Sequence, residues 1–210
     1  TCLYRTLLFP RMWHERDDAG QPVHRSPYDG QIHPGVLYAD NGFWDTFRTV
    51  YPLLALLYPD RLSEIMQGWL QAAREGGWFP AWSSPGYRVC MIGTHFDAVL
   101  ADAVVKGVGG FDIAAAYAAA RRDAFEPADP EGRFGRAGLA GYAELGYVPA
   151  DEAGHAAAAT QEYAYDDFCL AQILTFGYGR DQGIYAMVGR MILDGKMPYR
   201  DAWDFKPPGI

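Results

Sequence analysis

The stretch YADNGFWDTFRTVYPLLALL, residues 38–57, organises the chain because it joins a polar turn to a strongly apolar helical run. Its Asp-Asn-Gly opening has the composition of a turn. Trp44, Asp45 and Arg48 then share one helical turn. A ring that stacks on the C–H face of a sugar, beside charged groups that bind its hydroxyls, is typical of a carbohydrate site. Asp45 and Arg48 also have the spacing of a local ion pair, so the pattern alone leaves both interpretations open.

The composition limits the class of protein. The chain has 210 residues, half of them hydrophobic, which is enough for one or two small domains with a packed core. A net charge of -8 and a pI near 5.0 argue against a nucleic-acid partner. Cys2, Cys90 and Cys169 are far apart and predict ordinary thiols. No apolar run reaches the ~18 residues of a membrane span, so we expect no membrane insertion by this chain.

Helical periodicity and capping residues dominate the sequence. The predicted helices cover about residues 43–57 with a kink or split at Pro52, 61–74 capped by Asp60, 95–106 capped by Thr94, 113–125 capped by Asp112, 139–145, and a last helix from the cap Thr160 to about residue 175. No strand alternation of any length is visible. These features predict an all-α fold.

A segment rich in glycine, proline and aspartate, residues 14–35, separates the first short apolar piece from these helices. These turn-forming residues predict a loop. The segment carries His14, His24 and His33, whose spacing follows no known metal-ligand rule. We therefore expect solvated or hydrogen-bonded loop histidines, with a metal site as the alternative.

The stretch from Phe43 to Thr49, followed by Pro-Leu-Leu, resembles the signature of glycoside hydrolase family 92, the calcium-dependent α-mannosidases. Further stretches agree with the family in the same order: EGGWFPAW at residues 75–82, MIGTH at 91–95, ADA with the following KG between 101 and 107, and TQEYAYDDF at 160–168. The resemblance covers about residues 1–173. Five ordered motifs make a chance match improbable, although any one of them would be poor evidence.

This resemblance implies a fold and an activity. The fold would be an α/α toroid of helical hairpins, which residues 1–176 are too short to complete. The activity would be that of an exo-acting inverting hydrolase on the α-linked mannose of glycans. The family further implies calcium as a cofactor of the full-length enzyme, and a secreted or periplasmic location.

For the sugar site, the resemblance favours Trp44 for stacking and Asp45 with Arg48 for hydroxyl contacts. His95 and the pair Glu162 and Asp166 are further substrate-binding candidates. The two carboxylates are spaced at i, i+4 and repel each other unless a cation, a donor or a raised pKa intervenes. In the structural alternative, Glu162 supports the first turn of its helix, Asp166 pairs with a neighbouring helix, and His95 is only a helix N-terminal residue.

The family places its general acid in a Glu-Gly-Asn-x-Trp-Gln-Tyr motif and its base in a Gly-Asn-Asp-Asp motif, and this sequence contains neither. We therefore expect no catalytic residue, no metal ligand and no bound calcium in this chain, and no hydrolysis by the chain alone. The alternative is a non-catalytic helical module for carbohydrate binding or for packing.

The last segment, residues 177–210, has a different character. Its string PYRDAWDFKPPG, residues 198–209, resembles the opening of polytopic glycosyltransferases of the dolichyl-phosphate-mannose type, with Asp181 at the position of their acidic residue near the reaction centre. We therefore expect a foreign or unstructured segment that begins near residue 176. An unusual C-terminal tail of the hydrolase is the alternative.

Overall fold

The structure, a computed structural model, describes residues 2–177, with side chains as far as residue 175. Within these residues the helices are α1 (Cys2–Thr6), α2 (Phe43–Thr46), α3 (Val50–Leu57), α4 (Pro59–Gly76), α5 (Phe96–Val105), α6 (Ile113–Phe125), α7 (Leu139–Leu145) and α8 (Ala156–Gly177). The strands are β1 (Arg11–Met12), β2 (Glu15–Arg16), β3 (Pro22–Arg25), β4 (Ile32–Pro34), β5 (Tyr38–Ala39), β6 (Asn41–Gly42) and β7 (Trp82–Ser83). The predicted foreign segment lies outside the described residues from position 178 onward.

The core lies between α3, α4, α5, α6 and α8. α5 packs along α8, and α3 and α6 both contact α4 and α5. At the centre, the buried ring of Phe43 contacts the rings of Tyr51, Trp69 and Phe96 at centroid distances of 5.0–6.0 Å. The indole of Trp69 donates a 2.8 Å hydrogen bond to the hydroxyl of Tyr51, so its polar atom is satisfied inside the core.

Among the predicted N-caps, Asp112 is confirmed, whereas Asp60 and Thr160 do not cap their helices. The side chain of Asp112 accepts from the backbone N–H of Ala115 and caps α6 as predicted. α4 begins at Pro59 rather than after Asp60, because proline at the first helical position has its backbone angle already fixed. Thr160 lies inside α8, where its hydroxyl donates to the carbonyl of Ala156 instead of capping the helix.

The prediction of a break at Pro52 was also wrong in position. α2 ends at Thr46 and α3 begins at Val50, so the break precedes the proline. Pro52 is the third residue of α3. Its missing N–H costs nothing there, because the first-turn N–H groups of a helix have no partner within the helix.

The segment predicted as a loop, residues 14–35, contains a three-stranded antiparallel sheet in the order β2-β3-β4. Val23 pairs with both Glu15 and Pro34, and His24 pairs with His33. These strands have two to four residues, which is too short for an alternating pattern to be visible in the sequence. The described chain is therefore helical with small sheets, and its place in an α/α toroid stays a prediction.

Two more strand pairs surround the organising stretch. β1 pairs with β5, and β6 pairs with β7. Gly42 on β6 allows this second pairing, because a Cβ there would clash with the ring of Trp82. No helix within residues 2–177 is both long and apolar enough to span a membrane.

Candidate functional site

Trp44 lies on the one-turn helix α2 and is held from a distant part of the chain. Its indole N–H donates a 2.9 Å hydrogen bond to Oε1 of Glu162 on α8. The Arg48 guanidinium lies 4.4 Å from the centre of the Trp44 ring and 4.5 Å from that of Phe47. Its Nη2 atom is 3.9 Å from the same Glu162 oxygen. Arg48 therefore covers the Trp44 ring in a cation–π contact and faces the carboxylate.

His95 bridges the two carboxylates of α8. Its Nδ1 atom lies 2.9 Å from Oδ1 of Asp166, and its Nε2 atom lies 3.3 Å from Oε2 of Glu162. These are ion-pair distances without the alignment of a hydrogen bond. The ring of Phe47 stacks on the imidazole at 4.9 Å. The predicted repulsion between Glu162 and Asp166 is thus relieved by a group that can carry positive charge.

Asp45 is the predicted site residue that lies apart from this group. It is exposed and lines an open cavity of about 480 Å³, together with Arg11, Asp40, Trp82 and others. Within residues 2–177, no ion pair joins Asp45 to Arg48. The local ion-pair interpretation fails because Arg48 follows the end of α2 and turns towards Trp44 and Glu162.

Behind His95 lies a buried charge cluster around Thr94. The guanidinium of Arg136, 1% exposed, donates to Asp167 at 2.6 Å, to the Thr94 hydroxyl at 3.1 Å and to Asp97 at 3.4 Å. The backbone N–H of Thr94 donates to Oδ2 of Asp166 at 2.8 Å. Asp166 is therefore fixed from one side by Thr94 and faces His95 on the other.

The protonation of Asp97 follows from this cluster. Burial, and then the neighbouring Asp166 carboxylate, raise the pKa of Asp97 well above its ordinary value, against the opposing charge of Arg136. The Thr94 hydroxyl lies 2.8 Å from Asp97 and 3.2 Å from Asp166, but it has only one hydrogen to donate. A protonated Asp97 can donate to Thr94 while Thr94 donates to Asp166, so that one hydroxyl joins both carboxyl groups.

Sequence reasoning missed Arg136 and Asp97. Arg136 lies in the glycine-rich stretch between α6 and α7, where nothing in the local pattern marks a buried cation. Asp97 lies three residues after Thr94, the predicted cap of α5. The side chains of Thr94 and Asp97 do pair at 2.8 Å, but His95 rather than Thr94 occupies the N-cap position of α5.

The three histidines of residues 14–35 have separate partners. His14 contacts the carbonyl of Leu37, and His33 contacts Asp29 at 2.7 Å. His24 is buried between the carbonyl of Gly35 and the carboxylate of Glu75. This is the hydrogen-bonded arrangement that the sequence favoured.

Calcium, which the family implies, does not fit the side chains that the structure describes. Within residues 2–177, no three His, Cys, Asp or Glu side chains are arranged to hold a metal ion.

Comparisons with known proteins identify the family of this chain. Residues 1–183 match the glycosyl hydrolase family 92 catalytic domain. The chain is 45% identical, with a TM-score of 0.80, to the structure of the inverting mannosidase BT2199 of Bacteroides thetaiotaomicron, over 87% of this chain and 25% of that one. It is 32% identical, with a TM-score of 0.72, to the α-mannosidase BT3965 of the same organism, over 89% of this chain and 24% of that one. The chain therefore belongs to glycosyl hydrolase family 92.

A curated relative agrees with this assignment. An uncharacterized secreted glycosidase of Arthroderma benhamiae is 34% identical over 103 residues, which are 44% of this chain and 13% of the relative. The chain thus spans about a quarter of the solved mannosidases and a smaller share of this relative. The family match also includes residues 177–183, which the sequence prediction placed in the foreign segment.

Proposed function

We propose that this chain forms part of the sugar-binding site of an exo-acting inverting α-mannosidase, whose substrate is a mannose-containing glycan. The observation that carries the proposal is the convergence of Trp44, Arg48, His95, Glu162 and Asp166, which come from three separate motifs of the family. The relatives described as mannosidases suggest mannose as the sugar, and one of the matched structures was solved with mannoimidazole.

Each predicted residue has a role in this proposal. Trp44 offers an aromatic surface to the C–H face of mannose, and Arg48 fixes one side of that ring. Asp45 binds sugar hydroxyls from the open cavity that it lines. Glu162 holds the Trp44 ring in place through its indole N–H, and His95 lies between the carboxylates of Glu162 and Asp166.

The proposal includes no hydrolysis by this chain alone. Inversion needs an acid and a base about 6.5–9.5 Å apart, one on each face of the sugar ring. Both family motifs for these residues are missing from the sequence, and the carboxylates of Glu162 and Asp166 both face His95. We expect no mannose release from an α-1,2-linked disaccharide, with or without calcium. Turnover above a heat-treated control would show that the catalytic carboxylates lie within this chain.

An extracytoplasmic location belongs to the same proposal. It is supported by the relative described as a secreted glycosidase. The acidic charge of the chain is consistent with a glycan partner rather than a nucleic acid.

A direct experiment separates this proposal from a packing module. Dissociation constants for methyl α-mannoside and methyl α-galactoside would be measured by calorimetry on the purified chain. We expect preferential mannoside binding, weakened by Trp44→Ala, which removes the ring of the proposed site. The matched control is Trp13→Ala, an exposed ring that bonds to Arg25 instead, which should leave the constant unchanged. Equal constants for both sugars, or no binding, would favour the non-catalytic packing module.

We also propose that the chain changes protein type after residue 183, the last residue of the family match, rather than near residue 176, on the strength of the PYRDAWDFKPPG string at residues 198–209. Sequencing genomic DNA across this join tests the proposal. We expect a reading frame that encodes the family's acid motif close downstream of the hydrolase part. An uninterrupted gene that ends in the same tail would contradict it.

A further inference from the structure

We propose that His95 is a positioning residue, which holds Glu162 in the orientation that accepts the Trp44 indole N–H and so fixes the ring offered to the sugar. The inference rests on the proposed function for the role of Trp44. A chain of contacts runs from Asp166 through His95 and Glu162 to Trp44. The distances between these side chains define it, whether or not a sugar binds.

Trp44 has little local support. Its helix α2 has four residues and no side-chain hydrogen bond at its N-cap, Gly42. A one-turn helix is only marginally stable without tertiary contacts. The hydrogen bond to Glu162 therefore contributes strongly to the orientation of the ring.

Glu162 is itself held at both carboxylate oxygens. Oε1 accepts from Trp44 and faces Arg48, while Oε2 faces His95. A glutamate side chain that is one-fifth exposed loses rotamer entropy when it is fixed, so one hydrogen bond alone holds it weakly. The second contact, from His95, compensates for this cost.

His95 is in turn fixed on every side. It is 1% exposed, stacks on Phe47, and faces Asp166 through Nδ1. Gly93 makes this placement possible, because a Cβ at that position would clash with the imidazole, and its φ of +83° suits glycine. This explains the MIGTH motif: Gly93 makes room for the ring, Thr94 binds Asp166, and His95 passes the constraint to Glu162.

The charged groups around His95 are consistent with this chain of contacts. Each ring nitrogen of His95 lies within ion-pair distance of one carboxylate, Nδ1 of Asp166 and Nε2 of Glu162. Other charged groups nearby are Arg48, beside Glu162, and Asp97 with Arg136, beyond Thr94. A substitution at Asp166 should therefore alter the orientation of the Trp44 ring, because His95 and Glu162 connect the two residues.

The test follows the exchange of the Trp44 indole N–H with solvent by NMR. We expect about a tenfold faster exchange in His95→Phe, which keeps a ring against Phe47 but loses both nitrogens, and a several-fold faster exchange in Asp166→Asn. Asp102→Asn is the matched control, because Asp102 lies on α5, the helix that His95 precedes, but pairs with Lys106 near the other end of that helix. It should leave the Trp44 exchange unchanged.

The indole of Trp69, bound to Tyr51, reports global folding in every variant. If His95→Phe does not fold, Asp166→Asn decides. Unchanged Trp44 exchange in the folded variants would overturn the inference. Because this measurement needs no sugar, it can succeed where mannoside binding fails, and the two proposals can then be told apart.

Discussion

The indole N–H of Trp44 donates to Glu162 across 118 residues of sequence, and this 2.9 Å hydrogen bond joins the short helix α2 to α8, the last described helix. Because the bond joins residues on two distant helices, it depends on how the rest of the fold places α2 against α8. The site is therefore a product of the whole described fold rather than of one segment.

Changing Glu162 should weaken sugar binding through the ring that it holds. Glu162→Ala removes the acceptor of the Trp44 indole, and we expect the dissociation constant for methyl α-mannoside to rise about tenfold. Glu162→Gln keeps an acceptor oxygen and should retain much of the affinity. Glu144→Ala, at an exposed position on α7, is the control. Equal affinities in all three variants would contradict the role of Glu162.

The buried carboxyl of Asp123 should make stability depend on pH. Burial raises the pKa of Asp123 well above its ordinary value of 3.8. The folded chain then binds the proton more tightly than the unfolded chain, so the free energy of unfolding falls as pH rises above about 3.8. Asp123→Asn should be more stable than the unchanged chain at pH 7 and similar to it at about pH 3. Urea unfolding at both values measures this.

The control for that experiment is Asp151→Asn, at an exposed position, which should follow the unchanged chain at both pH values. A lower stability of Asp123→Asn at pH 7 would mean that the charged carboxylate stabilises the fold, contrary to the prediction.

The pair formed by His24 and Glu75 should stabilise the attachment of the small β-sheet to α4. Both side chains are almost fully buried, and their atoms Nε2 and Oε1 are 2.8 Å apart. Removing one partner leaves a buried polar group uncompensated, so Glu75→Leu should cost about 3–5 kcal/mol. The double variant with His24→Leu should cost less than the sum of the single changes. Chemical denaturation provides the comparison.

The more exposed pair of Lys106 and Asp102 is the reference for this cycle. Asp102→Ala should cost no more than about 1 kcal/mol. A similar loss for Glu75→Leu would show that the buried pair adds little.

Gly42 should be intolerant of a side chain because the ring of Trp82 packs on it. Gly42→Ala would push this ring away and disturb the cavity that Asp45 lines. We expect a loss of about 1–3 kcal/mol in stability together with weaker mannoside binding. Gly109→Ala, where nothing lies within 4 Å of the added carbon, should change stability by less than about 0.5 kcal/mol. Equal effects would contradict the packing argument.

Local signals predicted much of the helical framework. Asp112 caps α6, and α7 has the predicted bounds, because both depend on neighbours within one or two turns. Thr160 and Asp60 carry the same cap chemistry, but neither caps its helix. α4 begins two residues before the predicted start because Pro59 suits the first helical position, and α8 begins at Ala156, so that the Thr160 hydroxyl bonds to the Ala156 carbonyl inside the helix.

The sequence indicated which residues would form the candidate site, but not how they would be arranged. Trp44, Arg48, His95, Glu162 and Asp166 come together, whereas Asp45 opens into a separate cavity. The buried partners Arg136 and Asp97 were missed, because the need for a buried cation arises only when α5, α8 and the stretch after α6 meet. Tertiary neutralisation of this kind leaves no periodic mark in a sequence.

The most direct test of the mannose-site proposal is the NMR signal of the Trp44 indole N–H during a titration with methyl α-mannoside. We predict a saturable shift of this signal, with the Trp69 signal unmoved because that ring is buried in the core. A Trp44 signal that stays in place at saturating mannoside, while the chain remains folded, would contradict the assignment of a mannose site to this chain.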